Sequence, residues 1–378
     1  MILYNSVITL ILIAILLNLL NNLKQLKPLK KRRKFDENPP LVSILVPARN
    51  ESENIERCIN SLANQDYPNF ELIVLDDNSE DDTPIKLKHL RETYPKIKIY
   101  SGEQLPEGWT GKNFACHTLA KHAHGEWFAF TDADTVHKRD SISSALYSAM
   151  RENAKLISVL PNIIIKTIPE KVFTPLIYFA LLSFMPIRIV NSLKYKKIVI
   201  ALGPFMLINA AIYKKFGGHE SIRSEILDDF QLAQQVKKAG GKYLLLDGKE
   251  KITVRFYKDF KSVWNGFSKN AFGAFENSPL ILIPFIVSCL CLYLIPYVIL
   301  IQGLIHSHLK LIPLFQVLLI TVHSFLLAVR FKMNRFLIAL HPLSVFFWTL
   351  IVMNSMRLTF TNRSLAWKQR LYSLRKAR

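Results

Sequence analysis

Apolar positions fall into three regimes along this chain. Ile8 to Leu20 is nearly all Leu and Ile. Short β-branched runs then alternate with mixed segments from Leu41 to about Asp140. From Pro279 to Met356, long apolar runs are broken only near His306–Lys310 and Arg330–Arg335. A helix needs about 20 apolar residues to cross the hydrocarbon core, so the first and last regimes are predicted to be membrane helices.

The middle regime predicts alternating strands and helices. LVSILVPARN reads as a buried strand that stops at Pro47, and Glu53 to Asn64 as a helix. FELIVLDD is a second buried strand, Thr83–Thr93 a helix, Ile97–Tyr100 a strand, Lys112–His122 a helix, and EWFAFTDAD another strand. Units of roughly 25–30 residues argue for an open parallel α/β sheet that binds ligands at the carboxyl ends of its strands. Beyond Asp140, Ile157–Leu160 and Ile198–Ile208 are candidate strands. Val172–Val190, interrupted by Pro175, Pro186 and Arg188, is expected to lie in the interface or line an acceptor site rather than span.

Composition and charge sharpen this picture. The chain has 378 residues, of which 50% are hydrophobic, and a formal charge of +20. Much of that charge flanks the apolar segments, in KQLKPLKKRRK (Lys24–Lys34) and in the tail from Arg357 to Arg378. The first patch follows an apolar helix and carries no interleaved aromatics. It therefore reads as a cytoplasmic anchor on anionic lipid, and nucleic acid is not an expected partner. The first segment lacks a basic start and a small-residue cleavage site, which predicts a retained anchor with its amino terminus outside the cell. Cys58, Cys116, Cys289 and Cys291 show neither a disulfide framework nor zinc spacing, as suits a cytosolic soluble part.

Three polar clusters lie at predicted strand or helix ends. In FTDADTVH, Asp132 and Asp134 are two apart, which on an extended chain sends both carboxylates to one side, with the small Ala133 leaving room for a ligand. A magnesium-like ion takes one or two protein carboxylates and completes its shell with water and phosphates. The same pattern also occurs as a solvated turn. In LDDNSEDDT, Asp81 and Asp82 suit an Asx turn before a helix, whereas the adjacent Asp76 and Asp77 are better explained by a binding site for a nucleoside. In EILDDFQLAQQVKKAGG, Asp228 and Asp229 open a helix. They either complement its dipole or supply a general base.

Taken together, PARNE (Pro47–Glu51), LDDNSEDDT, GWTGKNFA (Gly108–Ala115), DAD and LDDFQLA (Leu227–Ala233) resemble, in order, the motifs of family 2 glycosyltransferases. These are inverting enzymes of the GT-A fold, a Rossmann-like mixed sheet, and the likeness covers roughly Leu41 to Lys269. WTGKNFAC, GPFMLINAAIYKKFGGHE and WKQRLYS are similar to the membrane-bound subgroup of carotenoid (diaponeurosporenoate) and hopanoid-associated enzymes.

The resemblance implies that Pro47, Ala48, Arg49, Glu51 and Asp77 contact the nucleotide, with Lys112 near uracil or phosphate. It makes Asp134 the direct ligand of Mn2+ or Mg2+, and Asp132 a ribose or second partner. Asp229 becomes the base beside Asp228, and Gly203 to Asn209 the acceptor-side wall. Processive polysaccharide synthases carry Gln-x-x-Arg-Trp after the base. Here VWNGFSKNAF offers Lys269 as its comparable cation, which favours a single transfer to a lipid.

The expected organisation is a membrane anchor (1–21), a basic linker (22–40), a GT-A catalytic domain (41–257), an amphipathic interfacial segment (258–278), a transmembrane region (279–356) and a basic tail (357–378). The expected activity is hexosyl transfer from a UDP-sugar to a membrane lipid, preferably a terpenoid or carotenoid, at the cytoplasmic face. The alternatives are a polysaccharide synthase and a catalytically silent nucleotide-sugar-binding subunit. Three full C-terminal spans would put the basic tail outside, against the positive-inside tendency. One apolar segment is therefore expected to be interfacial or re-entrant, with the tail cytoplasmic.

Overall fold

The structure is a computed structural model that describes residues 2–30, 37–275, 277–361, 365–367 and 370–372. Lys31–Lys34 of the basic linker and Arg363, Lys368, Arg375, Lys376 and Arg378 of the tail lie outside the described residues. The first apolar run forms α1 (Ile2–Gln25), longer than the expected anchor. The chain then builds β1 (Val42–Ala48), α2 (Ile55–Ala63), β2 (Phe70–Asp76), α3 (Thr83–Thr93), β3 (Lys98–Ser101), α4 (Gly111–Lys121) and β4 (Trp127–Thr131). β5 (Thr135–His137), α5 (Ser141–Arg151), β6 (Leu156–Leu160) and β7 (Asn162–Ile163) follow. β1 runs through Pro47 instead of stopping there. Its pairing with β4 ends at Leu45 opposite Phe130, so the residue without an N–H lies past the last rung on that side.

Val172–Val190 breaks into α6 (Ile168–Phe173), α7 (Pro175–Ser183) and α8 (Ile187–Val190). The break after α7 is closed by Asn22 of α1. Its side-chain amide donates to the carbonyls of Leu182 (2.8 Å) and Met185 (2.9 Å), and its oxygen accepts from Ile187 N–H (2.8 Å). Asn22 is fully buried, so these bonds satisfy backbone that no water reaches. Then come β8 (Phe205–Asn209), α9 (Ala210–Lys215), α10 (Asp228–Lys238), β9 (Tyr243–Asp247), β10 (Ile252–Val254) and α11 (Phe260–Asn270).

The main sheet has seven strands in the order β3-β2-β1-β4-β8-β6-β9. It is not wholly parallel, because β8 runs antiparallel to both β4 and β6. The expected strand over Ile198–Ile208 is likewise confined to Phe205–Asn209. Residues before it are irregular because side chains occupy their backbone. Lys237 Nζ donates to Ile198 O (2.8 Å), the Tyr243 hydroxyl donates to Ile200 O, and Ser158 Oγ accepts from Leu202 N–H (2.9 Å).

Strand alternation divides the core into two faces. Ile44, Val46, Leu72, Val74, Ala129, Phe205 and Leu207 pack on one side beneath α2, α3 and α5. Leu45, Ile73, Leu75, Phe128, Phe130, Met206 and Ile208 pack on the other, in a cluster that continues into α1 (Leu12, Leu19) and α7 (Phe179, Leu182). The same cluster reaches three of the four apolar helices that close the chain, α12 (Pro279–Tyr293), α13 (Ile295–Ile305), α14 (Leu311–Arg330) and α15 (His341–Phe360). Among the described residues, four segments are long and apolar enough to cross a membrane: 3–25, 279–305, 311–330 and 335–360. The expected interfacial segment contains α11, capped by Asp259, which buries Val263 against Ile351 of α15 and Val172 and Phe173 of α6.

A buried carboxylate adds a polar joint between the sheet and the helices. Asp247, at the end of β9, is 4% exposed. Its backbone bonds to Lys27 and Leu29 just past α1, at 2.8 and 3.0 Å. Its carboxylate meets the Arg330 guanidinium at 2.5 Å, and that guanidinium also donates to Leu26 O at 3.2 Å. Asp247→Ala would leave Arg330 without its counter-ion in a poorly hydrated place. Removing one partner of such a pair costs about 3 kcal/mol or more, and thermal unfolding of the detergent-solubilised protein is expected to shift down by several degrees.

Candidate active site

The site forms where β1, β2 and β4 end. Asp132 and Asp134 sit in a tight turn between β4 and β5, not on the extended chain that their spacing suggested, and Thr135 N–H donates to Asp132 O (3.2 Å). A buried polar network holds this turn from below. Thr135 Oγ1 donates to Asp132 O (2.8 Å), Thr131 Oγ1 donates to Pro204 O (2.8 Å), and both hydroxyls lie within 3.1 Å of His137 Nε2. Burial pushes the His137 imidazole down to about 3, so it is neutral at physiological pH.

Lys112 is the centre of the site. It lies in the first turn of α4, whose amino end is capped by Thr110. Its ammonium is 2.9 Å from Asp132 Oδ1 and 3.2 Å from Asp228 Oδ2. Burial alone would lower its pKa, but the carboxylates of Asp132 and Asp228 outweigh that and raise it well above the usual lysine value. Gly203 leaves the space around this ion pair open. A Cβ there would stand 2.9 Å from Lys112 Nζ, 3.4 Å from Asp132 Oδ2 and 3.7 Å from Asp229 Oδ2.

Asp229 is the second notable group. Its Oδ1 accepts from Phe230 N–H at 2.7 Å, while Oδ2 faces the gap at Gly203. Burial, followed by the charge of Asp228, pushes its carboxyl up to about 7, with Lys112 opposing. A carboxylate of that basicity is suited to proton transfer near neutral pH.

Other predicted residues close the cleft. Asp77 is buried at the end of β2, and its N–H donates to Ala48 O at 2.7 Å. Its charge reaches Cys116, one turn along α4 from Lys112, as do the charges of Asp132 and Asp228. Arg49 braces the loop after β2 by donating to the carbonyls of Asp77 and Asn78, each at 2.6 Å. Glu51 is buried and accepts from Asn54 (2.8 Å), and its N–H donates to Thr83 Oγ1. Asp81 is a structural acid. Burial opposes its ionisation, but bonds from Thr83 and Ser52 outweigh that and hold it at about 2.

One acceptor-side expectation falls elsewhere. Asn209 pairs with Trp127 at the opening of β4, the end of that strand away from Asp132, and it caps α9. Reversing the direction of β8 carries it away from the cluster, so the Gly203 end of that wall stands at the site and the Asn209 end does not. Lys269 lies half-buried in the last turn of α11.

Sequence reasoning missed Asn113. Fully buried beside Lys112, its amide donates to the carbonyls of Ile222 (2.7 Å), Arg223 (3.2 Å) and Glu225 (2.9 Å), pinning the loop that leads to Asp228. The GWTGKNFA motif contained it, but a single helical asparagine carries no sign of a partner so far along the chain. Tyr257 was also missed; burial and then the charge of Asp134 raise its phenol.

Among the described residues, no three His, Cys, Asp or Glu side chains gather as a protein-only metal site. The donor chemistry nonetheless fits an ion shared with a substrate. Asp132, Asp228 and Asp229 bring more negative charge than the Lys112 ammonium balances, and hard divalent ions accept one or two such oxygens alongside phosphates.

Comparison with known proteins agrees with this geometry. A sequence profile described as Glycosyl transferase family 2 matches residues 43–217. The 4,4'-diaponeurosporenoate glycosyltransferase of Staphylococcus aureus strain MRSA252 is 26% identical over 357 residues, 92% of each chain. That of strain USA300 is 27% identical over 359 residues, again 92% of each. Among solved structures, a mannosyltransferase from Pyrobaculum calidifontis, in complex with GDP-Man and Mn2+, superposes with a TM-score of 0.53 at 17% identity. That match covers 92% of this chain and 98% of the other, and it shows the shared GT-A fold. The matched profile runs from β1 past α9, and the relatives are similar across nine-tenths of their own length, so this chain is similar to the family 2 glycosyltransferases over its catalytic domain.

Proposed function

We propose that this enzyme moves a hexose from a UDP-sugar to a membrane lipid, preferably of terpenoid or carotenoid type, inverting the anomeric carbon with help from Mn2+ or Mg2+. The observation that carries this reading is Asp229, a carboxyl of pKa about 7 facing the gap at Gly203, in a domain packed onto apolar helices. The relatives named for a carotenoid acid support the acceptor class, and the raised basicity of Asp229 favours a hydroxyl on it.

Asp229 Oδ2 takes the acceptor's hydroxyl proton as that oxygen bonds to the anomeric carbon. The bond from that carbon to the diphosphate breaks in the same step, and UDP departs with the electron pair. Asp228, 3.2 Å from Lys112, raises the proton affinity of its neighbour. Lys112 offers its ammonium to the diphosphate, while Asp77 and the Pro47–Glu51 loop hold the nucleoside. Asp134, with Asp132, would hold the divalent ion, which when bound neutralises charge on the leaving diphosphate.

We infer that the domain and the tail lie on the cytoplasmic side. α15 runs alongside α11, which follows Tyr257 of the site. Asn354 donates to Ser268 Oγ at 3.0 Å, Ser355 Oγ accepts from Phe272 N–H at 3.0 Å, and Phe360 lies 5.9 Å from the Phe272 ring. These contacts support the C-terminal end of α15, and the basic tail after it, lying on the catalytic side and facing anionic lipid.

Transfer by the wild type is expected to rise about tenfold per pH unit up to about pH 7 and then level, because only ionised Asp229 accepts the proton. Asp229→Asn should abolish this limb and lower kcat by about 10²- to 10⁴-fold with UDP binding kept; a mutant at wild-type rate removes it as base. UDP release in lipid extract should require Mn2+ or Mg2+ and stop with chelator. Asp134→Ala should lose metal-dependent UDP binding, and unchanged affinity would contradict its role. A cysteine introduced as Arg378→Cys should react with an impermeant maleimide only after cells are permeabilised. Labelling of intact cells would put the tail outside.

A further inference from the structure

Tyr257 lies beside the catalytic cleft but takes no part in the proton transfer. β10 runs antiparallel to β5, with Val254 opposite Thr135. The chain leaving β10 therefore passes the turn that carries Asp132 and Asp134. It brings Tyr257 within reach of Asp134, and burial, followed by the charge of that carboxylate, raises the phenol.

The segment from Arg255 to Asp259 is fixed on both sides. Arg255 Nε donates to Glu170 Oε1 at 2.7 Å, and its Nη2 donates to Oε2 at 3.3 Å. Lys258 pairs with Glu53, just after the Pro47–Glu51 loop. Asp259 Oδ1 accepts from Ser262 N–H at 2.7 Å and opens α11. Between these anchors the Tyr257 ring lies against Gly266 of α11, where a Cβ would overlap the ring and stand 2.6 Å from its hydroxyl oxygen. Phe267 adjoins the ring, with centroids 5.3 Å apart.

Packing alone does not require a tyrosine here. A phenylalanine would fill the same notch, and a tyrosine hydroxyl taken partly out of water usually finds a partner. Tyr257 is half-buried, and its hydroxyl bonds to no group among the described residues. Burial and the neighbouring carboxylate both keep the phenol protonated, so it is a hydrogen-bond donor. On one side Lys258 ties it to the nucleoside loop, and on the other lies Asp134. The diphosphate of a nucleotide sugar crosses that interval, and hydrogen bonds to its anionic oxygens are among the stronger ones.

We propose that Tyr257 is a substrate-binding residue whose hydroxyl donates a hydrogen bond to a diphosphate oxygen of the nucleotide sugar. This rests on the reading of the cleft as a nucleotide-sugar site, and it holds whichever base the nucleotide carries and whichever lipid accepts the sugar.

The test is calorimetric titration of the full-length protein in nanodiscs, with Mn2+ present, using UDP, GDP and uridine. Tyr257→Phe is expected to weaken UDP about tenfold or more and to leave uridine within about twofold, because only the bond to phosphate is lost. Gly266→Ala should displace the ring and weaken UDP to a similar extent. The double variant should bind no worse than the weaker single variant by more than about twofold, since both act through one contact.

Tyr257→Phe that binds UDP as the wild type does, or that loses UDP and uridine equally, would overturn the proposal and return the residue to packing. Wild-type binding of GDP but not UDP, with the GDP affinity lost in Tyr257→Phe, would uphold the tyrosine's role while removing the UDP-sugar reading. A wild type that binds neither diphosphate would sink both.

Discussion

The arrangement of the site depends on one ammonium shared between carboxylates that the chain brings from distant places. Lys112 comes from the first turn of α4, Asp132 from the turn after β4, and Asp228 from the first turn of α10. Charge pairs this close, partly shielded from water, attract by several kcal/mol before desolvation is counted. The carboxylates of Asp132, Asp228 and Asp229 without that cation would repel one another and open the cleft. Asn113 adds direction to the attraction, since it fixes the loop before Asp228 while its neighbour Lys112 draws in the side chain. Gly203 then decides what can approach, because any larger residue would crowd the ammonium.

The second constraint is that one face of the sheet has no independent core. Leu45, Phe128 and Met206 share their packing cluster with α1, α7 and α14. The catalytic layer therefore rests directly on the apolar helices.

Much of this was legible in the sequence. β-branched runs ending in acids located β2 and β4, and Thr83–Thr93 was read as the helix it forms. The three acidic clusters were recognised, and two of them converge on Lys112. What stayed hidden was relational. An apolar run has no direction, so the antiparallel course of β8 could not be seen, and Asn209 was placed at the wrong end of the sheet. Ile198 to Leu202 reads as strand, but Lys237, Tyr243 and Ser158 take its backbone bonds. Asn22 and Asn113 are single polar residues whose importance lies in carbonyls more than a hundred positions away.

The Asp247 junction bears on biosynthesis. Its partners are the end of α1, made almost at once, and Arg330, which leaves the ribosome some 300 residues later. Until α14 is inserted, β9 presents a buried carboxylate with no guanidinium beside it. The sheet can form while translation continues, but its docking onto the helices waits for the chain to be nearly complete. Truncation before Arg330 would thus leave a domain with an exposed apolar face, the kind of surface that quality-control proteases recognise.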